Sequence, residues 1–376
     1  MSTPPAGRHL TVVVAPDSFK GSLTSVQVAA AIRDGWLRAR PEDDVLLAPL
    51  ADGGEGTLVA IEAAGGWEWQ ETRADDPLRR PITARWLRSA DGRRGAVEMA
   101  EASGLSRVAP AERDPIAATS AGTGQLLLAA LSAGVRHVVL GIGGSATTDG
   151  GAGIVESLGG RFDGEAIDLA GLDPRLAELD LRIACDVSNP LLGKAGAAAT
   201  YGPQKGANPE QVARLDAALR HWADRLEHAT GCRERDTPGA GAAGGVGFAL
   251  LCLRDRFRSL ELVPGVELVI DETDLDGKLA RADLVITGEG RIDEQTAYGK
   301  TALGVARRAH ARGIPTIAVG GGVTPEGIEA LAPFGAVVVP VSERPGSVEE
   351  AMAAGAAPVE RCGERLARLV SIGSLR

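Results

Sequence analysis

The segment spanning residues 283–301 holds the densest set of side chains with catalytic or binding potential. A β-branched run, Leu284 to Thr287, predicts a buried strand that ends in a turn at Gly288 and Gly290. Charged side chains crowd the expected turn: Glu289, Arg291, Asp293 and Glu294. Since ligands of open α/β sheets bind at the carboxyl ends of strands, these charges favour a phosphate site, a metal site or both. A solvated, charged turn is the competing interpretation.

The loop at residues 16–22 follows the first predicted strand and is the second candidate. Lys20 is a flexible cation suited to a phosphate or a carboxylate, and Ser18 and Ser22 can donate hydrogen bonds. The N-terminus of the following helix would add partial positive charge. Alternatively, Asp17 and Ser18 only shape the turn and Lys20 is solvated, and the composition of the loop leaves both interpretations open.

Two further loops combine several glycines, whose backbone amides stay open to a ligand, with polar side chains. Residues 52–57 carry Asp52, which can bind Mg²⁺, orient a substrate hydroxyl or simply form the turn. Residues 141–151 follow a strongly apolar strand and add hydroxyl groups at the start of a helix, which favours an anion-binding cradle over a purely structural turn. The predicted cradle residues are Gly143, Gly144 and Ser145.

Asp186 lies at the end of another apolar strand, residues 182–187. At the edge of a sheet its carboxylate can hold Mg²⁺ or act as a base. The structural alternative is that Asp186 caps a helix after Pro190. The position therefore predicts either a functional carboxylate or a helix cap.

Two short matches to nucleotide-binding motifs fail their context tests. Residues 239–244 fit G-x-G-x-x-G by letter, but residues 233–238 before them do not predict a strand, which counts against a nicotinamide dehydrogenase. Residues 299–301, Gly-Lys-Thr, resemble the end of a P-loop, but Glu294 occupies the position of the required first glycine. Any nucleotide is therefore expected to be held by a different design.

The composition of the whole chain restricts the class of protein. A chain of 376 residues is long enough for two domains, and its formal net charge of −10 argues against nonspecific nucleic-acid binding. The four cysteines lack C-x-x-C spacing, which favours reduced thiols over zinc ligands or disulfides. The polar N-terminus does not resemble a signal peptide and no apolar stretch reaches the length of a membrane span, so a cytoplasmic protein is expected.

Strands and helices alternate along most of the chain and must position these loops. Predicted strands at residues 10–15, 135–142 and 284–287 are each followed by a loop and a helix, which implies parallel sheets. Residues 67–99 differ, because β-type runs rich in arginine and interrupted by prolines predict antiparallel strands and entry into a second domain.

The predicted architecture is an α/β fold with two domains. A Rossmann-like parallel-sheet domain is formed by both chain ends, residues 1–66 and 265–376, and a mixed α/β domain, residues 67–264, is inserted between them. Helix starts are marked by N-caps at Thr24 and Asn208, which supports the alternation.

Eight short segments of the kind described above run in order along nearly the whole chain. They are Ala15-Pro-Asp-Ser-Phe-Lys-Gly21, Ala51-Asp-Gly-Gly-Glu-Gly-Thr57, Glu98-Met-Ala-Glu-Ala-Ser-Gly104, Gly141-Ile-Gly-Gly-Ser-Ala-Thr-Thr-Asp-Gly150, Asp186-Val-Ser-Asn-Pro190, Tyr201-Gly-Pro-Gln-Lys-Gly206, Gly239-Ala-Gly-Ala-Ala-Gly-Gly245 and Thr287-Gly-Glu-Gly-Arg-Ile-Asp293. Together these segments resemble the bacterial glycerate kinase family, of the glycerate 2-kinase type. The resemblance implies ATP-dependent phosphorylation of D-glycerate with Mg²⁺, and a two-domain fold with the active site in the interdomain cleft. Many similar enzymes form dimers, so a homodimer is a further expectation.

The chemistry of phosphoryl transfer, which depends on positioning and charge stabilisation, then assigns roles to the candidates. Arg291 is expected to clamp the glycerate carboxylate or to stabilise the transferring phosphoryl group, and Lys20 to neutralise a phosphate or bind the carboxylate. Asp293 is the first choice for the base that accepts the hydroxyl proton, and Asp186 is the second. Asp186 and Glu289 are the predicted Mg²⁺ ligands. The residues predicted to contact the nucleotide are Gly143, Gly144, Ser145, Ser18, Gly288 and Gly290.

Two other functions stay open on the sequence alone. A kinase of another small hydroxy acid would use the same residues, and a non-catalytic sensor of phosphosugars or phosphoglycerate would need the cradle and Arg291 but not the acidic set. The 2-hydroxyl is the expected acceptor, although both hydroxyls of glycerate lie a carbon apart and a small rotation would exchange them.

Overall fold

The computed structural model describes residues 8–51, 53–54, 56–164, 166–298, 301–344 and 346–373. Asp52, a candidate in the second glycine loop, and Lys300, in the P-loop-like stretch, lie outside the described residues. The chain forms two compact units. The first contains the described residues of Met1–Ala51, Val59–Gly65 and Val269–Arg376, and the second those of Asp52–Leu58 and Gly66–Leu268. The predicted domain boundaries, after residues 66 and 264, stay a prediction.

In the described part of the chain, the strands are β1 (Thr11–Pro16), β2 (Asp44–Leu47), β3 (Trp67–Asp75), β4 (Pro81–Ser89), β5 (Arg94–Glu98), β6 (His137–Gly141), β7 (Arg161–Asp163), β8 (Ala166–Asp168), β9 (Asp180–Ala184), β10 (Ser259–Val263), β11 (Leu284–Ile292), β12 (Thr316–Val323) and β13 (Ala336–Pro340). The α-helices are α1 (Ser25–Ala39), α2 (Thr57–Ala63), α3 (Ala100–Ser103), α4 (Ala121–Ser132), α5 (Ala152–Ser157), α6 (Ala197–Tyr201), α7 (Pro209–Thr230), α8 (Val246–Cys252), α9 (Gly265–Glu272), α10 (Leu275–Leu279), α11 (Thr301–His310), α12 (Pro325–Leu331), α13 (Val348–Ala353) and α14 (Ala357–Gly373). Short 3₁₀ helices include Pro203–Lys205 and Glu294–Tyr298.

The first unit is built on a parallel five-stranded sheet with the strand order β13-β12-β11-β1-β2. Its central strands are apolar and buried, as the β-branched runs predicted. The helices α1 and α14 approach each other closely because glycines leave no side chain where they meet. A Cβ on Gly35 would lie 1.8 Å from a backbone oxygen of α14, and one on Gly363 would lie 2.5 Å from a backbone oxygen of α1.

The second unit is built on a mixed six-stranded sheet with the order β10-β9-β6-β5-β4-β3. The strands β10, β9, β6 and β5 run parallel, whereas β4 and β3 run antiparallel. The antiparallel strands predicted between residues 67 and 99 are therefore confirmed. The α/β class, with one parallel and one mixed sheet, is confirmed as well.

Both helix starts predicted from local sequence form complete capping boxes. Thr24 Oγ1 accepts a hydrogen bond from Gln27 N at 3.2 Å, and the Gln27 side chain accepts one from Thr24 N at 2.9 Å. Asn208 and Gln211 make the same reciprocal pair at the start of α7, with distances of 2.9 Å in both directions. Because each box involves residues only three positions apart, the local sequence was enough to locate both helix caps, while the partner Gln211 at the second was identified in the structure.

The turn predicted at Gly288 and Gly290 is wrong, because β11 continues through both glycines to Ile292. The extension pairs with β12, whose own end is rich in glycine: Gly288 lies opposite Val319, and Arg291 opposite Gly322. A Cβ on Gly288 would lie 2.4 Å from Val319 O. The glycines therefore permit a close strand pairing instead of a turn, and the chain leaves the sheet only after Ile292.

Among the described residues, no helix combines the length and the apolar character needed to cross a membrane.

Candidate functional site

The carboxyl edge of the five-stranded sheet brings two of the predicted loops together. Since β1 and β11 are parallel neighbours, the loop after β1 lies beside the extended end of β11. Asp17 N donates a hydrogen bond to Gly288 O at 2.8 Å. A Cβ on Gly290 would lie 3.1 Å from Phe19 Cα and 3.3 Å from Lys20 N, so the glycine lets the Lys20 loop rest directly on the strand.

Asp17 shapes the loop that carries Lys20. Its Oδ1 accepts a hydrogen bond from Ser18 N at 2.6 Å, and its Oδ2 accepts one from Thr301 Oγ1 at 2.6 Å. Phe19 O accepts hydrogen bonds from the two backbone amides of a tight turn, in which Gly21 has a φ of 79°. Asp17 therefore shapes the turn, as the structural alternative in the sequence analysis stated. The side chain of Lys20 is exposed, so a ligand can reach it.

Glu289 is a buried carboxylate on the extended part of β11. Its side chain is almost fully shielded from solvent, and Oε1 accepts a hydrogen bond from Thr296 Oγ1 at 2.5 Å. Burial of a carboxylate is unfavourable without hydrogen bonds, and the hydroxyl of Thr296 supplies one. Glu289 thus lies at the carboxyl edge of the sheet, as predicted, but its side chain is buried among neighbouring residues rather than exposed to solvent.

Arg291 and Asp293 form an ion pair at the end of the same strand. Arg291 Nε lies 3.3 Å from Asp293 Oδ2, and the arginine side chain is 71% exposed while that of Asp293 is 16% exposed. Asp293 Oδ1 also accepts a hydrogen bond from Gln295 N at 3.0 Å, at the start of the 3₁₀ helix Glu294–Tyr298. The carboxylate is therefore held in place, whereas the guanidinium is open to an anionic ligand.

In the second unit, the two predicted glycine loops meet. A Cβ on Gly143 would lie 2.6 Å from Gly54 Cα, and one on Gly141 would lie 2.8 Å from Gly53 O. Any side chain at these positions would push the loops apart, since real Cβ contacts are longer. Gly144 adopts the left-handed conformation, with a φ of 69°, which lets the chain turn after β6.

The cradle loop is anchored on several sides. Leu105 N donates to Gly144 O at 2.8 Å, and Ala146 N donates to Ser103 O at 3.0 Å. The Asp149 carboxylate joins the following turn to the start of α4, because it accepts hydrogen bonds from Gly151 N and Gly153 N and also from Ser120 N and Ser120 Oγ. These contacts make residues 143–151 a fixed element rather than a solvated loop.

The G-x-G-x-x-G-like stretch also supports this loop. A Cβ on Gly244 would lie 2.0 Å from Thr147 O, and one on Gly245 would lie 2.7 Å from Gly150 Cα. Gly150 N donates a hydrogen bond to Gly244 O at 3.0 Å. Gly244 and Gly245 thus serve close backbone packing against the cradle loop, whereas a Cβ on Gly241 would lie 2.3 Å from Pro190 O.

A buried lysine contacts the cradle loop, and sequence reasoning gave it no role. Lys205 Nζ donates hydrogen bonds to Ser145 Oγ at 3.0 Å and to Thr147 O at 2.5 Å. Burial lowers the pKa of Lys205 to about 7, against the opposing effect of the Asp149 carboxylate. The signal available in the sequence was that Lys205 belongs to residues 201–206, one of the eight segments of the family resemblance.

Asp186 lies beyond the carboxyl end of β9, the neighbour of β6, and is exposed. Its Oδ1 accepts a hydrogen bond from Gly265 N at 3.0 Å, at the first residue of α9. Asp186 thus binds the N-terminus of a helix, as the structural alternative predicted. The helix is α9, which is distant in sequence, and not a helix after Pro190. The structure gives Asp186 a structural contact and leaves its catalytic role a prediction.

The predicted site residues therefore form two groups, each at the carboxyl edge of one sheet. The group in the first unit consists of Ser18, Lys20, Gly288, Glu289, Gly290, Arg291 and Asp293. The group in the second unit consists of Gly143, Gly144, Ser145 and Asp186. Within the described part of the chain, no cluster of three or more His, Cys, Asp or Glu residues is placed to hold a metal ion. A kinase Mg²⁺ needs only one or two carboxylates beside the phosphate oxygens, so single carboxylates such as Asp186 and Glu289 fit this ion.

Comparisons with known proteins give a consistent result over almost the whole chain. The family model described as the glycerate kinase family matches residues 12–371. The glycerate kinase of Halalkalibacterium halodurans is 42% identical over 374 residues, which cover 95% of this chain and 97% of the relative. The glycerate 2-kinase of Escherichia coli K12 is 40% identical over 387 residues, covering 97% and 99%. A crystal structure assigned as glycerate kinase 2 from Salmonella typhimurium LT2 is 42% identical and superimposes with a TM-score of 0.85, covering 98% of this chain and all of the other.

Proposed function

The chain belongs to the glycerate kinase family, and on this premise we propose that it transfers the terminal phosphoryl group of ATP to the 2-hydroxyl of D-glycerate. The observation that carries the proposal is the family match over residues 12–371, because this range includes both groups of candidate residues. Kinase activity with ATP follows from family membership, while the configuration of the substrate and the hydroxyl that is phosphorylated belong to the proposal.

Arg291 is the proposed partner of the glycerate carboxylate. Its guanidinium is exposed, and its planar fork can bind a carboxylate through two parallel hydrogen bonds. The ion pair with Asp293 supports this role, since it fixes Nε and orients the rest of the guanidinium. Lys20, exposed on the neighbouring loop, supplies a second cation for a phosphate oxygen.

The backbone of Gly143, Gly144 and Ser145 is the proposed cradle for the nucleotide phosphates. A rigid glycine loop after a buried strand can present amide N–H groups without side chains in the way. The anchoring contacts at Gly144 O and Ala146 N support this function, because a preorganised loop loses little entropy when ATP binds. In the first unit, Ser18, Gly288 and Gly290 are proposed to add nucleotide contacts.

Asp293 is the proposed base. The 2-hydroxyl oxygen of glycerate attacks the γ-phosphorus, Asp293 accepts the hydroxyl proton, and the bond to the ADP oxygen breaks. The contacts of Asp293 with Arg291 and Gln295 support this assignment, because they hold the carboxylate beside the group that binds the substrate. Asp186 is the second candidate, since its exposed carboxylate is also within a predicted site loop.

Mg²⁺ is proposed to bind Asp186 and Glu289 together with phosphate oxygens of ATP. When bound, the ion neutralises the charge that develops on the phosphates during transfer. The carboxylate oxygens of both residues are the ligands that Mg²⁺ prefers. The hydrogen bond from Thr296 to Glu289 supports the choice, because it fixes one oxygen of that carboxylate.

Phosphorus NMR of a reaction with ATP, Mg²⁺ and D-glycerate tests the proposal directly. We expect ADP and a single phosphomonoester whose coupling to one proton on carbon identifies 2-phosphoglycerate. A phosphate coupled to a CH₂ group would move the acceptor to the 3-hydroxyl. ADP release only with other hydroxy acids in a substrate panel would change the substrate, and tight ligand binding without turnover would favour a sensor.

The homodimer and the cytoplasmic location also stay predictions. The lack of C-x-x-C spacing among Cys185, Cys232, Cys252 and Cys362 favours reduced thiols and so supports a reducing compartment. Size-exclusion chromatography with light scattering measures the oligomeric state directly.

A further inference from the structure

Lys205 is almost completely buried, with 2% of its surface exposed. Lysine is rarely buried unless a carboxylate pairs with it, because desolvation of the ammonium is unfavourable. Here the two hydrogen-bond acceptors are neutral oxygens, Ser145 Oγ and Thr147 O. Asp149 favours the charged form only through its electrostatic effect. Because this burial is unfavourable, we expect the lysine to have a role that depends on the two groups it binds, Ser145 and Thr147.

The ammonium holds the cradle loop at two points. It binds the side chain of Ser145 and the backbone carbonyl of Thr147, on either side of Ala146, and so fixes the path of the chain just after the glycines. The hydroxyls of Thr147 and Thr148 are buried and have no hydrogen-bond partner among the described residues. Among the residues that the structure describes, Lys205 is therefore the polar side chain that donates hydrogen bonds to Ser145 and Thr147.

We infer that Lys205 is a positioning residue for ATP: from the 3₁₀ helix Pro203–Lys205 it holds Ser145 and Thr147, and thereby keeps the amides of Gly143, Gly144 and Ser145 in place for the nucleotide phosphates. The inference rests on the proposed function, since it assigns Lys205 to the proposed nucleotide cradle. Because Lys205 is buried, it acts on the nucleotide through Ser145 and the backbone rather than by contact.

Lys278 offers a matched control in the first unit. Its half-buried ammonium donates to three backbone carbonyl oxygens, those of Leu47 at 2.7 Å, Ala64 at 3.0 Å and Thr273 at 2.8 Å. Burial lowers its pKa to about 8. Lys278 thus stabilises the ends of secondary-structure elements without contacting a candidate site residue. Its loss should reduce stability and leave ATP binding unchanged.

The test compares ATP binding by the wild type and by the variants Lys205→Met and Lys278→Met, measured by calorimetry without an acceptor. Loss of two charge-assisted hydrogen bonds and of the fixed loop is expected to weaken ATP binding by about 10- to 100-fold in Lys205→Met. The Lys278→Met variant should bind ATP within about threefold of the wild type. Thermal unfolding and circular dichroism confirm that each variant is folded at the temperature of the titration.

A double-mutant cycle with Ser145→Ala shows whether Lys205 acts through Ser145. The variant with both substitutions should bind ATP almost as well as Lys205→Met alone. Lys205→Met already removes the hydrogen bond to Ser145 Oγ, so Ser145→Ala has little left to remove. Equal ATP affinity of Lys205→Met and Lys278→Met would overturn the inference, as would strictly additive losses in the cycle. If Lys205→Met does not fold, Ser145→Ala decides: it should weaken ATP binding severalfold, and wild-type affinity would overturn the inference.

The test separates this inference from the assignment of the substrate. ATP binding without glycerate requires no turnover, so a protein that phosphorylates a different acid would still show the loss of affinity in Lys205→Met. Conversely, a wild type that makes 2-phosphoglycerate but has the same ATP affinity as Lys205→Met would keep the proposed function and exclude the role of Lys205.

Discussion

The carboxyl edges of the two sheets carry different kinds of functional group. The edge of the five-stranded sheet presents charged side chains, with Lys20 and Arg291 exposed and Asp293 held beside Arg291. The edge of the six-stranded sheet presents close-packed glycine backbone, in which Gly143 lies against Gly54. Phosphoryl transfer needs both, because charges act on the reacting groups while backbone amides hold the phosphates. The comparison therefore predicts that the first unit binds and activates the acceptor and adds some phosphate contacts, while the main cradle for the nucleotide phosphates lies in the second unit.

The largest effect is expected at the proposed base. The Asp293→Asn variant should lower kcat by about 10²–10⁴-fold with the fold intact, because the amide cannot accept the hydroxyl proton. Steady-state kinetics of Asp293→Asn and Asp186→Asn, with circular dichroism as the control for folding, provide the measurement. Turnover like the wild type in Asp293→Asn, together with a large loss in Asp186→Asn that excess Mg²⁺ does not restore, would move the base to the second unit and break the proposed division. Wild-type turnover in both variants would exclude both residues.

A smaller effect is expected at the proposed carboxylate clamp. The Arg291→Met variant should raise KM for D-glycerate by about 10- to 100-fold, because charge-assisted hydrogen bonds contribute about 1.5–3 kcal/mol. Arg291→Lys keeps the charge but not the two-point geometry, and should recover only part of the loss. Kinetics with each substrate varied in turn separate the two roles: a rise confined to KM for ATP would place Arg291 on the phosphates instead.

The glycine packing of the second unit gives a third test. In Gly143→Ala the new methyl group would lie 2.6 Å from Gly54 Cα, so the loops must separate and ATP binding should weaken by about tenfold. KM for D-glycerate should change little if the division is correct. Gly304→Ala is the control, since a Cβ on Gly304 in α11 meets no atom within 4 Å. That variant should be as active as the wild type and more stable by about 0.5–1 kcal/mol.

The smallest effect concerns the titration of the lysines. The chain has five: Lys20, Lys194, Lys205, Lys278 and Lys300. Burial lowers the pKa of Lys205 to about 7 and that of Lys278 to about 8, so in NMR of lysine labelled at Cε the signals of these two residues should titrate early. Lys205→Met should remove one and Lys278→Met the other. If Lys205 and Lys278 both titrated near the ordinary lysine pKa, the burial of these two side chains would be contradicted.

The same shifts have a defined sign for stability. Below about pH 7 both states carry the proton on Lys205, and the folded state bears the full desolvation penalty. Between about pH 7 and 10 the unfolded chain binds more protons, so the free energy of unfolding rises with pH by up to about 1.4 kcal/mol per unit for this group. Denaturant unfolding at about pH 7 and 8.5 should show this rise in the wild type relative to Lys205→Met. If the free energy of unfolding changed equally with pH in the wild type and in Lys205→Met, the lowered pKa of Lys205 would be contradicted.

Features that depend on neighbouring residues could be predicted from the sequence. The helix caps at Thr24 and Asn208 are examples, because each cap binds a residue three positions away. The alternation of strands and helices, and with it the parallel direction of the strands, follows from apolar runs of a few residues, whereas the pairing of β1 with β11 required the structure. The candidate loops could be located in the same way, since glycine and charged residues after a buried strand are recognisable without a structure.

The extension of β11 shows where local patterns were insufficient. Gly288 and Gly290 are compatible with a turn as well as with a flat strand, because glycine tolerates either conformation. The glycine-rich end of β12, some thirty residues further along the chain, supplies the pairing that selects the strand. Local sequence therefore indicated that the backbone is unusual at this point, but not which unusual structure it adopts.

Local sequence was thus sufficient for the helix caps, the strand pattern and the positions of the glycine loops, since these depend on energies within a few residues. The contact of Gly143 with Gly54, the hydrogen bond of Thr301 with Asp17 and the burial of Lys205 against Ser145 required the folded chain. Their partners are separated by up to 284 positions, and the burial that changes the pKa of Lys205 exists only once distant segments have packed around it.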